Sequence, residues 1–135
     1  MTLIIISCGS SHDGKEEDAA TECAENFARA FYNLQYKESL DYTTPESERF
    51  VRYQAAIITE KDVETVRNAD EGATISIESF DWESPDADTS AIISIQVENF
   101  LKLDSIQSLG HIEEKEAQQL RVVKRDGKWR VDLER

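Results

Sequence analysis

The stretch AIISIQVENFLKL, residues 91–103, alternates on a period of two along its whole length. Ala91, Ile93, Ile95, Val97, Leu101 and Leu103 share one parity. Ser94, Gln96, Glu98 and Lys102 share the other, with Ile92 and Phe100 as exceptions. Successive strand side chains point to opposite faces, so the pattern predicts a strand with one buried face and one wet face. Strands usually run about five or six residues, and one this long implies a sheet that curls.

Outward from this strand the same period recurs. Residues 74–82 place Ile75 and Ile77 on one parity and Phe80 and Trp82 on the other, a switch that predicts a bulge near Ser79. Residues 83–88, ESPDAD, form a turn, and residues 104–110 a loop. Residues 116–125 carry Leu120, Val122 and Val123 on a third strand. Asp126-Gly127 is a strong hairpin signal. The last strand turns Trp129, Val131 and Leu133 inward and Arg130 and Asp132 outward.

Before residue 68 the period is helical. Ala20, Cys23, Ala24, Phe27, Ala30, Phe31 and Leu34 form one apolar face across residues 18–34. A short amphipathic piece with Leu40 follows. Thr44 then fits an N-cap, with Pro45 at the first helical position and acids in the first turn. Phe50, Val51, Tyr53, Gln54, Ile57 and Ile58 supply that helix's expected buried side. Thr59 with Asp62 is a weaker cap for a helix carrying Val63 and Val66. Helices first, then an antiparallel meander, specify an α+β domain: N-terminal helices packed on a curved four-stranded antiparallel sheet.

The chain has 135 residues and a net charge of -13, enough for one core and one domain. Acid excess argues against nucleic acid, whose phosphates demand Lys and Arg clusters. The charge is uneven: -4 over residues 1–22, -3 over 23–70, -7 over 71–105 and +1 over 106–135. No apolar stretch approaches the roughly 18 residues of a membrane span.

Residues 1–8, MTLIIISC, resemble the end of a bacterial lipoprotein signal peptide, in which the Cys, here Cys8, becomes the lipidated first residue. Ser7 fits the position before it; Ile5 stands where Leu is commoner, and no basic residue precedes the apolar run. Residues 9–18 are small, polar and acidic, as a flexible tether is. Lys15-Glu16-Glu17-Asp18 is similar to the acidic export signal of some surface lipoproteins. The resemblance implies membrane attachment through lipid on Cys8, in the cell envelope at an outer membrane, facing the periplasm or the cell exterior. Residues 19–135 then form the domain. Cys23 falls on the apolar face of the first helix, which favours a buried thiol over a disulfide with Cys8 or a reactive group.

The order of elements, with Ala24-Glu25-Asn26-Phe27-Ala28-Arg29-Ala30-Phe31, Asp41-Tyr42-Thr43-Thr44-Pro45 and Asp126-Gly127-Lys128-Trp129-Arg130-Val131, resembles small lipoproteins of the NTF2-like, cystatin-like superfamily, particularly the DUF4878 type. That resemblance implies a cone-shaped pocket between the first helix and the curved sheet. Phe27, Phe31, Tyr42, Tyr53, Trp82 and Trp129 are its candidate pocket residues.

Catalytic members of the superfamily use an Asp base with a Tyr or His partner. Here Asp132 has outward parity, Asp41 sits between helices, and His12 and His111 lie in polar segments. The expectation is therefore a non-enzymatic domain binding a small ligand, peptide or partner protein. The alternatives are an acidic inhibitory protein neutralising a basic partner, and an isomerase- or hydratase-like enzyme using the cone. Asp81, Glu83, Asp86 and Asp88 crowd the first hairpin, where a solvated acidic turn is favoured over a calcium site. With Glu98, Arg121 and Arg130 they are the candidate partner surface, including a homodimer through the sheet. No cofactor or metal is expected.

Overall fold

The computed structural model describes residues 14–69, 72–102 and 111–133. Cys8, His12, Leu103 and the expected loop at 104–110 lie outside the described residues. Helix α1 (Gly14–Tyr32) is followed by the short α2 (Tyr36–Ser39) and a 3-10 turn, Leu40–Tyr42. A second 3-10 turn, Pro45–Ser47, leads into α3 (Glu48–Ile57), and α4 (Glu60–Arg67) follows. Strands β1 (Thr74–Trp82), β2 (Ser90–Lys102), β3 (His111–Arg125) and β4 (Lys128–Asp132) form one antiparallel sheet in sequence order. The architecture is the expected α+β one, with α1 lying across all four strands.

The core is where two apolar faces meet. Ala20, Cys23, Ala24, Phe27 and Ala28 of α1 face Ala91, Ile93, Ile95 and Val97 of β2, Leu120 and Val122 of β3, and Trp129 and Val131 of β4. Small residues on α1 let the helix approach the sheet closely, and Phe27 fills the space that remains. The β1 register shifts between Ile77 and Ser79, which brings Phe80 and Trp82 to the side of Ile75 and Ile77.

Four local readings differ from the structure. Helix α1 starts at Gly14, inside the stretch expected to be tether, because Glu16 is tied down: its carboxylate accepts from Lys124 and, at 3.1 Å, from the Trp129 indole N–H. In α3 only Val51 is fully buried, while Phe50 and Tyr53 point outward. The start of that helix is pinned to β4, where Ser47 Oγ accepts from Leu133 N at 2.8 Å and Thr44 N donates to Val131 O at 3.0 Å. The pin sets a rotation that turns the 51, 54 and 58 stripe inward. In α4 the buried residue is Asp62 rather than Val63 or Val66, since the Thr59–Asp62 capping box is complete. Finally, β3 begins at His111 and not at Glu116, because Lys102 of the long β2 pairs with His111.

Candidate functional site

One residue redirects the end of β2. Asn99 has φ +57°, the left-handed region, which Asn tolerates better than most residues. After it, Phe100 joins the core cluster and packs edge-on against Tyr32 at 5.3 Å between ring centres. Lys102 follows Phe100 to the inner side, where its ammonium donates to Glu116 Oε1 at 2.7 Å. Glu116 itself is an inner-face residue. It pairs with Val97 and shares parity with Gln118, Leu120 and Val122.

These residues open a cleft of about 210 Å³ at the mouth of the cone. Phe31, Tyr36 and Phe100 give it aromatic walls, and Tyr32, Gln54, Lys102, Glu116 and Gln118 give it polar groups. Phe31 meets Tyr36 edge-on at 5.4 Å and stacks on Phe27 at 5.3 Å. The Gln118 amide donates to Glu116 Oε2 at 3.0 Å, so both oxygens of that carboxylate are engaged. The Lys102 ammonium hydrogen-bonded to Glu116 holds its carboxyl below the usual range. Burial pushes the Tyr32 hydroxyl up to about 12, with the charge of Glu116 adding to it. Burial also pushes Tyr36 up to about 12; its hydrogen bond with Gln54 opposes this and the charge of Asp62 reinforces it. Asp62 is only 2% exposed, and its Oδ2 accepts from both the backbone N–H and the hydroxyl of Thr59.

Of the expected pocket residues, Phe31 lines this cleft, and Phe27 lies behind it as core. Trp82 and Trp129 lie together in a second aromatic group with Phe80, ring centres 5.9 and 4.8 Å apart. Tyr42 borders a shallow groove with Cys23, Lys128 and Arg130. Tyr53 is 55% exposed on the outside of α3. The polar half of the cleft was missed. Its signal was present: Glu116 and Gln118 fall on the parity of Leu120 and Val122.

The expected partner surface is divided. Arg121 bridges Glu83, at 2.7 Å, and Asp132. Glu98 stands opposite Lys115 on β3 and Thr74 on β1. Arg130 donates instead to the Trp129 carbonyl at 2.7 Å. Asp81 and Asp86 are exposed near the first hairpin, and Asp88 is half-buried there. A wider groove of about 620 Å³ runs between α2 and α3, floored by Leu40, Val51, Ala55 and Ala56 and edged by Lys37 and Arg52. Cys23 is a free thiol, pushed up to about 12 by burial, with Sγ 3.3 Å from the Trp129 carbonyl. Among the described residues no cluster of His, Cys, Asp or Glu could hold a metal ion, and no helix is long and apolar enough to cross a membrane.

Helices on the inner side of a curled four-stranded meander, closing on a small cleft, define the NTF2-like, cystatin-like cone fold. Solved structures similar to the chain share it, two of them as follows. One is a ketosteroid isomerase-like protein from Erwinia carotovora atroseptica, at TM-score 0.56 and 14% identity, covering 88% of this chain and 92% of that one. The other is an uncharacterised protein with a cystatin-like fold from Caulobacter vibrioides, at TM-score 0.53 and 14% identity, covering 87% and 85%. No family model and no curated protein matches the chain.

Proposed function

We propose that the chain is a non-enzymatic binding domain of the cell envelope, of the DUF4878 lipoprotein type, anchored through lipid on Cys8 and taking a small ligand into the cleft at the cone mouth. The observation that carries this reading is the cleft itself: aromatic walls and convergent polar groups are what small-molecule sites are made of. At about 210 Å³ it lies below the usual range of about 300–1,000 Å³, so the ligand is small. Its phenols are pushed far above neutral pH and its carboxyl is held low. General acid–base catalysis wants a group near the working pH, so these shifts favour binding over proton transfer.

A second reading draws on Asp62, a buried carboxylate close enough to Tyr36 to act on its hydroxyl. A proton-transfer enzyme would use such a pair. Against it, Asp62 already accepts twice from Thr59 to cap α4.

The binding reading is tested on the ¹⁵N-labelled chain with a mixed set of small fragments. Shifts should converge on Phe31, Tyr36, Gln54 and Gln118 and disappear in Gln118→Phe, which fills the cleft. Shifts spread over the surface, or unaltered in that variant, would sink it. Anchoring is tested by palmitate labelling of the expressed full-length protein: label should be lost in Cys8→Ala, and equal label in both ends the lipid claim.

A further inference from the structure

The cleft carries one acid and one base side by side, and this arrangement specifies more than a generic pocket. Glu116 shares the inner parity of β3, and Lys102, three residues past the left-handed Asn99, donates to it at 2.7 Å. On the opposite wall Leu34 also has positive φ, +63°, where helix α1 ends. The third such non-glycine among the described residues, Asp126, sits in the hairpin turn where it is expected. Leu34 is the ordinary left-handed end of α1, with Leu34 N donating to Phe31 O at 3.1 Å and Gln35 N to Ala30 O at 2.8 Å, so among the described residues Asn99, next to the wall residue Phe100, is the one left-handed non-glycine that neither a helix end nor a hairpin turn explains.

Consider which ligand chemistry the pair accepts. A lone ammonium drawn to Glu116 would sit beside Lys102, a like charge. A lone carboxylate drawn to Lys102 would sit beside Glu116, with the same penalty. A molecule carrying both charges on neighbouring atoms meets neither penalty. Its ammonium lies against Glu116 and its carboxylate against Lys102, giving four alternating charges. The remaining atoms fall between Phe31, Tyr36 and Phe100, with the Gln54 and Gln118 amides in reach of a polar side group. At about 210 Å³ the cleft is below the usual size of a small-molecule site, which suits a small free amino acid.

We propose that the cone cleft binds a small zwitterion of the α-amino acid class, with Glu116 taking the ammonium and Lys102 the carboxylate. This deepens the binding reading above and rests on it. The test is titration of the ¹⁵N-labelled full chain with L-serine, L-alanine and L-proline, each beside its N-acetyl and C-amide analogue. The expected result is saturable shifts at Lys102, Glu116 and Gln118 for the zwitterions. Either analogue should bind at least about tenfold more weakly, since each loses a hydrogen bond to a charged group. Glu116→Gln and Lys102→Met, checked for an unchanged fold by circular dichroism, should weaken the zwitterion to the same degree. If neutral or singly charged fragments bind the cleft as well as the amino acids do, the zwitterion proposal falls and the binding reading stands. If neither the amino acids nor the mixed fragments move any cleft resonance, both fall.

Discussion

At the scale of single residues, Asn99 decides what the cleft is. The alternation of residues 91–103 predicts Leu101 on the buried face and Phe100 as an exception; Leu101 is buried, and after the left-handed Asn99 Phe100 is buried as well and joins the central core cluster. Periodicity assumes a uniform strand, so a single left-handed residue is invisible to it. Asn is among the few residues that adopt this conformation readily, yet most Asn residues do not, and its presence alone predicts nothing. Asn99→Val places a β-branched side chain where φ is positive and should cost about 1–2 kcal/mol by urea denaturation. It should also separate Lys102 from Glu116. Asn99→Gly should be nearly neutral, because glycine enters the left-handed region without a Cβ clash. Equal loss in both variants would show that the Asn99 side chain, not its backbone, matters. Val51 and Tyr53 give the complementary lesson. Both are apolar and two apart in a helix, and only the pin between Ser47 and β4 determines which one turns inward.

At the scale of elements, the strands were more legible than the helices. Alternation marked β1, its bulge, β2 and the β3–β4 turn, because each strand has its inner face against α1 and its outer face in water. The polar N-terminal half of β3 carried no such contrast, since its inner face lines the cleft mouth and needs no apolar side chains there. Caps were harder to rank. Thr44, which the sequence favours as an N-cap, makes no cap bond to the backbone; its hydroxyl donates to Ser47 Oγ at 2.8 Å. The weaker-looking Thr59–Asp62 pair is reciprocal: Asp62 N donates to Thr59 Oγ1 at 3.1 Å and Thr59 N to Asp62 Oδ2 at 3.0 Å. Thr59→Ala should therefore cost about 1 kcal/mol. Asp62→Ala should cost more, because it strips an acceptor from two donors at once. In a double-mutant cycle the two losses should be strongly non-additive. Simple additivity would mean that the box does not act as a unit.

At the scale of the molecule, net charge said little about where function lies. Part of the acid is absorbed locally: Glu16 by Lys124 and Trp129, Glu46 by Arg125, Glu83 by Arg121 and Glu116 by Lys102. The more telling global property is that burial keeps three interior groups protonated to higher pH than in the unfolded chain. Cys23 is raised from 9.0 to about 12, and Tyr32 and Tyr36 from 10.0 to about 12. Between the unfolded and folded values the native chain holds more protons than the unfolded one, so the stability slope with pH is negative there. Their contribution is complete below about pH 9 and declines as pH rises toward about 12. The urea midpoint should thus hold steady from pH 7 to 9 and then fall. Tyr32→Phe and Tyr36→Phe each remove a proton that the native state must keep, and each should flatten that fall. The phenolate absorbance that Tyr32→Phe and Tyr36→Phe remove should appear only as circular dichroism is lost. If Tyr32 and Tyr36 titrate near pH 10 while the chain stays folded, the cone mouth is wetter than its packing implies, and the aromatic walls assigned to the ligand cleft would have to be redrawn.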